Sequence, residues 1–302
     1  MKSRFTDLFP IPDFLEMRPT GLAISETAIH LIEFVKVARG YSLGRYATRF
    51  LPLGAIKEGY VNDKKAVTDI LSSLQKEYSI EFVNASLPEE KAYFFKTEFP
   101  KNGIDNLRQA VELRLEENVP ISASDAVFDC EVISRKSDSD KIEVGVAVLP
   151  SKVVATYLEI IKGAGLKPVF FGVEASAVSR AVVADNSFDT CMIVNVGEMR
   201  TSLSIVSGGV VQFNLSVPIG GDALTVAIGK HFSVDADTAK TIKEEKGFVK
   251  GEETMELFFS IMSTISAIKD EINKLFIYWQ THQNSSGSSE NKICKIILCG
   301  RD

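Results

Sequence analysis

Apolar and polar positions near the start of the chain predict two short strands around a tight polar turn. The strands are Gly21–Ile24 and Ile29–Val35, and the turn between them is Ser25–Thr27. Short apolar runs bounded by small polar residues are typical of strands joined by a turn. A third strand is expected at Gly40–Phe50, and the apolar residues of Asp63–Tyr78 then follow helical spacing. This succession indicates an α/β fold.

The same pattern returns far along the chain. Cys191–Gly197 is predicted as a strand that leads into the turn Glu198–Arg200, and Thr201–Val206 as the return strand. Two such hairpins, each of which opens an α/β half, indicate an internal duplication.

The segment between these halves has a different pattern. Lys91–Phe99 alternates like a half-exposed strand, and Leu107–Asn118 carries a helical apolar stripe that stops at Pro120. Two further strands are predicted at Val127–Ser134 and Lys141–Leu149. The simplest interpretation is one β-α-β-β unit inserted in a larger α/β body.

Helices dominate the rest of the chain. Ile219–Asp222 is expected to open a helix, with Asp222 as its N-terminal cap. Glu252–Gln283 is predicted as a long helix, and Ile293–Leu298 as a buried strand that reaches Gly300 two residues before the last one. Because a strand that ends in glycine usually leads into a turn and a helix, the sequence looks cut short.

Length and pattern together predict two lobes, since a domain has about 150 residues. We expect a leader at 1–18, a first lobe at 19–187 that contains the inserted subdomain at about 91–150, and a second lobe at 188–302. The leader carries seven large apolar residues, and Pro10 and Pro12 prevent a continuous helix through it. We expect it to dock on the first lobe rather than on a membrane or a partner, because free phenylalanine side chains in water are unfavourable.

Composition and charge exclude several classes of protein. The net charge of −6 argues against a duplex nucleic-acid binder, which needs a surplus of lysine and arginine on at least one face. The four cysteines form no CxxC motif, and they support neither a zinc site nor a disulfide scaffold. There is no signal peptide and no apolar run near the roughly 18 residues of a membrane span. We therefore expect a soluble, cytoplasmic protein with no direct membrane span.

The two predicted turns are candidates for a phosphate clamp between the halves. Backbone N–H groups in tight turns and at helix N-termini point at anionic oxygens, and small hydroxyl side chains add donors. The candidate residues are Ser25, Glu26, Thr27, Gly197, Glu198, Met199, Arg200, Thr201, Gly220 and Gly221.

Several short stretches occur along the chain in a characteristic order and spacing. They include Phe14–Met17, Leu51–Ile56, Ser86–Tyr93, Ala147–Pro150, Gly172–Ala177 and Pro218–Thr225. Together they resemble the PilM family of actin-like proteins of type IV pilus assembly, within the actin/FtsA/hexokinase superfamily, and the resemblance covers nearly the whole chain.

The resemblance implies a two-lobed, actin-like (ribonuclease H-like, duplicated) fold with ATP and Mg²⁺ between the lobes. It also implies that the cleft beside the inserted subdomain holds the cytoplasmic tail of the membrane protein PilN, at the inner face of the cell membrane. Other pilus platform or motor proteins would then be further partners. We expect a scaffold, and two alternatives stay open: an active ATPase of the same fold, and the actin-like cytoplasmic part of a type II secretion platform.

The chain departs from the family where nucleotide chemistry is expected. Ala23 stands where the first phosphate turn of the family begins with aspartate, and Asn195 replaces the aspartate of the second turn. In the helix that also carries Lys243, Lys240 stands where the family has a ribose-binding glutamate. In the adenine loop, the family has two consecutive glycines, whereas this chain has Gly300 followed by arginine. Lys243 and Gly300 complete the candidate nucleotide site.

These substitutions predict that the protein does not hydrolyse ATP above background. Phosphoryl transfer depends on charge neutralisation by Mg²⁺, which prefers carboxylate oxygens, and Ala23 and Asn195 supply none. We expect Ala23→Asp with Asn195→Asp to strengthen ATP–Mg²⁺ binding by roughly one to two decades, measured by isothermal titration. Robust Mg²⁺-dependent hydrolysis by the unmodified protein would support the ATPase alternative instead.

Overall fold

The computed structural model describes residues 19–37, 40–100, 106–133, 140–184, 187, 189–247, 254–283 and 292–300. The predicted leader, residues 1–18, lies outside the described residues, and its docking stays a prediction.

Strands and helices alternate along the described chain. The strands are β1 (Thr20–Ile24), β2 (Ala28–Val37), β3 (Gly40–Phe50), β4 (Ile56–Lys57), β5 (Tyr60–Val61), β6 (Phe82–Leu87), β7 (Tyr93–Pro100), β8 (Ala126–Val132), β9 (Lys141–Pro150), β10 (Lys167–Val173), β11 (Thr190–Val196), β12 (Thr201–Ser207), β13 (Val210–Val217) and β14 (Ile293–Gly300). The α-helices are α1 (Lys64–Tyr78), α2 (Leu107–Glu112), α3 (Leu115–Asn118), α4 (Ser151–Gly163), α5 (Glu174–Val182), α6 (Gly221–Phe232), α7 (Ala236–Lys246) and α8 (Met255–Gln283).

The chain divides into two compact units. Unit 1 comprises Met1–Pro88 and Lys152–Gly172, and unit 2 comprises Glu89–Ser151 and Val173–Asp302.

Unit 1 is built on a five-stranded sheet with the strand order β10-β6-β1-β2-β3. β1 pairs antiparallel with β2 and parallel with β6, which confirms the predicted hairpin around Ser25–Thr27. The side chains of Leu22, Ile24, Ile29 and Leu31 are buried. Helix α1 begins where the Asp63 side chain accepts a hydrogen bond from the backbone N–H of Ala66 at 2.9 Å.

Unit 2 contains a four-stranded sheet with the order β13-β12-β11-β14. β11 pairs antiparallel with β12 and parallel with β14. In unit 1, three consecutive antiparallel strands, β1, β2 and β3, are joined by β6, which pairs parallel with β1. Unit 2 repeats this arrangement with β11, β12 and β13, and β14 pairs parallel with β11. The repeated topology agrees with the internal duplication predicted from the two hairpins.

Helix α8 covers part of this second sheet. Its Leu275 and Trp279 side chains pack on Met192, Val194 and Leu203 in one buried cluster. Among the described residues, no helix has both the length and the apolar character needed to cross a membrane.

The inserted β-α-β-β segment forms the three-stranded sheet β7-β9-β8, packed on α2 and α3. The contacts group this segment with unit 2, whereas the sequence predicted it as part of the first lobe. The reason is the packing of β13 on β7 and β9: a methyl group added at Gly145 of β9 would lie 2.5 Å from Cγ1 of Val210 of β13.

One predicted helix is divided. Leu107–Asn118 forms α2 and α3 rather than a continuous helix, because the N–H of Arg114 donates to the carbonyl of Val111 in a tighter turn. The Arg114 guanidinium donates to the hydroxyl of Thr97 at 2.9 Å and lies over the ring of Phe99. These contacts hold the break in place.

Candidate functional site

The β1–β2 turn of unit 1 is closed by its own hydrogen bonds. The N–H of Ser25 donates to the carbonyl of Ala28 at 2.9 Å, and the Ser25 hydroxyl accepts from the N–H of Ala28 at 3.0 Å. The Glu26 carboxylate accepts from the backbone N–H of Glu58, and the carbonyl of Thr27 accepts from the N–H of Leu51. The N–H of Ser25, one of the donors predicted for the phosphate clamp, therefore already has a partner.

The β11–β12 turn of unit 2 is built similarly. The N–H of Gly197 donates to the carbonyl of Arg200 at 2.9 Å. The Thr201 hydroxyl donates to the carbonyl of Ile219 at 2.7 Å, and Arg200 donates through Nη1 to the Ser216 hydroxyl at 3.3 Å. Met199 is exposed at the tip of the turn.

The first turn of α6 is hydrogen bonded to this turn. The N–H groups of Gly221 and Asp222 donate to the carbonyls of Gly197 and Glu198, each at 2.9 Å, and the N–H of Ala223 donates to the carbonyl of Gly220. Helix N-termini bind anions through N–H groups that lack partners. These three groups already have partners, so a phosphate would have to displace them or use other donors.

Gly220 permits this close contact. A methyl group at Gly220 would lie 2.5 Å from the carbonyl oxygens of both Gly197 and Glu198. Gly220 is also the N-cap residue of α6, and no side chain caps the helix. The expectation that Asp222 caps α6 was therefore wrong, because the helix begins at Gly221, two residues earlier than that cap would place it, and Asp222 lies within its first turn.

The other two candidates of unit 2 lie beside this turn. Lys243 of α7 donates through Nζ to the carbonyl of Gly221 at 3.3 Å. Gly300 has a φ of +139°, and a methyl group there would lie 2.0 Å from the carbonyl oxygen of Val196. Unit 2 thus brings together most of the candidate residues, namely 197–201, Gly220, Gly221, Lys243 and Gly300. The other three, Ser25, Glu26 and Thr27, belong to unit 1.

A cavity of about 540 Å³ lies in unit 2 between the sheet and helices α6, α7 and α8. Its volume is within the range of small-molecule sites. Apolar side chains, among them Val196, Leu224, Ile261 and Leu298, form most of its wall. Lys243, Glu244 and Lys269 are its charged lining residues.

A family model described as type IV pilus assembly protein PilM matches residues 21–301. The chain belongs to this PilM family. The predicted resemblance is thereby confirmed.

Solved structures agree with the predicted fold class. The PilM–PilN type IV pilus biogenesis complex matches with a TM-score of 0.74 at 21% identity, covering 94% of this chain and 81% of that one. MreB 5 of Spiroplasma citri bound to AMPPNP matches with a TM-score of 0.54 at 12% identity, covering 94% and 85%. The ethanolamine utilization protein EutJ from Carboxydothermus hydrogenoformans matches with a TM-score of 0.51 at 14% identity, covering 88% and 73%. At these identities the likeness shows an actin-like fold.

The donor set around Asn195 in this PilM-family chain does not fit Mg²⁺ held by protein ligands. Asn195 accepts a hydrogen bond from the Cys299 thiol, with 3.8 Å between Oδ1 and Sγ. In the part of the chain that the structure describes, no three His, Cys, Asp or Glu side chains are grouped to hold a metal. The apolar cavity fits a flat ring better than it fits phosphates.

Two glutamates next to the β11–β12 turn were missed by the sequence analysis. Glu89 is only 5% exposed, and its burial and the charge of Glu174 raise the pKa of its carboxyl to about 8. A hydrogen bond with Ser202 and the positive charge of Arg200 lower this pKa, but they do not offset the rise. Burial and the charge of Glu90 raise the pKa of Glu174 to about 7. Perturbed carboxylates of this kind mark candidate functional sites.

Both glutamates follow points where the chain passes from unit 1 to unit 2, at Pro88/Glu89 and Gly172/Val173. They fall inside Ser86–Tyr93 and Gly172–Ala177, the stretches on which the family resemblance rested. The sequence signal was therefore present, but nothing in it showed that these carboxyl groups are buried.

We predict that Glu89→Gln stabilises the protein at pH 8. The unfolded carboxyl ionises near pH 4.5, whereas the folded one keeps its proton to about pH 8, so wild-type stability falls as the pH rises through this window. The amide should raise the unfolding free energy at pH 8 by roughly 4 kcal/mol and have little effect at pH 4. Urea unfolding at both pH values measures this, with the exposed Glu117→Gln as control. Equal effects of Glu89→Gln at both pH values would contradict it.

Proposed function

We propose that this chain is a cytoplasmic, actin-like scaffold of the type IV pilus inner-membrane platform that binds the cytoplasmic tail of a PilN-like membrane protein. Membership of the PilM family carries this proposal, and the structural match to a PilM–PilN complex supports it. A scaffold needs a stable surface more than it needs nucleotide turnover. The two turns closed by their own hydrogen bonds are consistent with that role.

The inserted subdomain offers a surface for an extended tail. β8 is an edge strand of the sheet β7-β9-β8, and edge strands have backbone groups to which a further strand can add. Val127, Asp129 and Glu131 alternate along β8, and all three are exposed. One apolar and two acidic side chains on one face suit a tail in which apolar and basic residues alternate.

A second candidate property is retained nucleotide binding without turnover. The cavity beside Lys243 and Leu224 has room for a nucleoside, and a protein of the same fold has been solved with AMPPNP. We propose that the cavity takes the base and that the weakened phosphate turns do not support hydrolysis. The scaffold role does not depend on this property.

We predict that charge reversal on β8 weakens tail binding. Asp129→Lys with Glu131→Lys should lower the affinity for the tail of the PilN-like protein from the same genome by about tenfold or more, because attraction to basic residues becomes repulsion. Isothermal titration of the full chain with the synthetic tail measures this. Glu112→Lys with Glu117→Lys, exposed on the same subdomain, is the matched control. Deleting the whole subdomain is less informative, since β7 and β9 pack on β13.

Two results would contradict this site. Unchanged affinity for the tail in the β8 variant would exclude β8 as the binding site. An equal loss of affinity in the control variant would show that the effect comes from the net charge of the chain and not from β8. A wild-type chain that does not bind the tail would contradict the scaffold proposal itself.

A further inference from the structure

One face of the unit 1 sheet carries apolar side chains that the proposed function does not use. We define the outer face by Ile32 and Phe34 of β2 and by Leu43, Tyr46 and Phe50 of β3. Ile32 pairs with Tyr46 and Phe34 with Leu43, and paired residues share a face of a sheet. Phe34 is 62% exposed, Tyr46 67% and Phe50 63%, and the other two are also exposed. Exposed apolar side chains in such a group mark an interaction surface.

Helix α1 packs on the opposite face of this sheet. Arg49 is next to Phe50 along β3 and so points to the other side, where its guanidinium donates to the Glu77 carboxylate of α1 at 2.6 Å. Arg45 also donates to α1, at the carbonyl of Tyr78. The outer face therefore points away from α1.

The leader, residues 1–18, joins the sheet beside the outer face. It lies outside the described residues and continues through Pro19 into β1. Gly21 of β1 pairs with Ile32, so the start of β1 lies level with Ile32 and Phe34. Proline has no N–H to donate to a neighbouring strand, so the leader does not extend the β1–β2 pairing through Pro19.

Gly21 makes the outer face shallow next to Ile32. A methyl group at Gly21 would lie 3.1 Å from Cγ2 of Ile32. Because position 21 has no side chain, another segment can approach Ile32 closely from the side of β1. This is the side on which the leader joins the sheet.

The composition of the leader suits an apolar surface. Its large apolar residues are Phe5, Leu8, Phe9, Ile11, Phe14, Leu15 and Met17. Its basic side chains, Lys2, Arg4 and Arg18, are equal in number to its acidic ones, Asp7, Asp13 and Glu16. Balanced charges give the leader little electrostatic attraction to an anionic surface, whereas its apolar residues gain from burial.

The leader can also reach the outer face. An extended chain spans about 3.3 Å per residue, so Phe14 can lie up to roughly 16 Å from Pro19. β3 is two strands from β1 in the sheet, a distance of about 10 Å. A segment tethered this closely has an effective concentration on the order of millimolar, which favours it over a second copy of the chain.

We propose that the leader folds back over the outer face and buries Ile32, Phe34, Leu43 and Tyr46 under its own apolar side chains. This contact lies within one chain. It goes beyond the proposed function and does not depend on it, since neither a partner tail nor a nucleotide takes part.

Photo-crosslinking of the full chain tests the proposal. Benzoylphenylalanine replaces Tyr46 on the outer face or, as the control, Leu113, which is 79% exposed on the inserted subdomain. Mixing chains that carry light and heavy nitrogen shows by mass whether a cross-link joins one chain or two. The probe at position 46 should cross-link to peptides from residues 5–17 of its own chain, and the probe at position 113 should not.

Proteolysis of the full chain measures how strongly the outer face holds the leader. Phe34→Ser with Leu43→Ser should raise the rate at which chymotrypsin cuts after Phe5 and Phe14 by at least about tenfold, since two apolar contacts of the docked leader are lost. Leu113→Ser with Val226→Ser, at exposed apolar positions of unit 2, is the matched control and should leave this rate unchanged. Circular dichroism checks that each variant is folded.

Three results would overturn the proposal. The first is a probe at position 46 that does not cross-link to the leader. The second is cross-links that join two chains, which would make the outer face an interface between copies of this chain. The third is cleavage of the leader that is as fast in the wild-type chain as in the Phe34→Ser, Leu43→Ser variant. Tail titration is a separate experiment, so its outcome does not decide this one.

Discussion

The close contact between the first turn of α6 and the β11–β12 turn is the constraint on which the candidate site depends. Two hydrogen bonds of 2.9 Å, from the N–H groups of Gly221 and Asp222, join these segments, and only glycine fits at position 220. The contact sets where α6 begins. It also places Lys243 on the carbonyl of Gly221, so that helix α7 is tied to the same point. The site is thus organised by hydrogen bonds within the chain itself.

This organisation explains how a PilM-family chain can keep the actin-like fold with Ala23 and Asn195 at the ends of the strands that lead into its two turns. The hydrogen bonds that close both turns use backbone groups and the hydroxyls of Ser25 and Thr201, and none of them involves the side chain of residue 23 or residue 195. The buried Glu89 and the half-buried Glu174 lie where the chain passes between the units, and the pKa of each carboxyl is raised.

Sequence patterns predicted the features that local chemistry determines. Alternation and small polar turns were sufficient for the hairpins at Ser25–Thr27 and Gly197–Thr201 and for the strands of the inserted subdomain. Long-range contacts were not predictable in this way: nothing in 91–150 indicates that β7 and β9 pack on β13. The cap of α6 was misassigned because aspartate is a better cap than glycine in isolation, whereas the approach of the neighbouring turn excludes any side chain at position 220. The buried state of Glu89 likewise follows from tertiary packing.

Amide hydrogen exchange at Gly221 and Asp222 tests most directly whether the turn is closed by the protein's own hydrogen bonds. The structure predicts strong protection of both amides in the nucleotide-free protein and no further protection when ATP and Mg²⁺ are added. Rapid exchange without nucleotide, followed by protection on its addition, would contradict this account, because the turn would then be organised by phosphate.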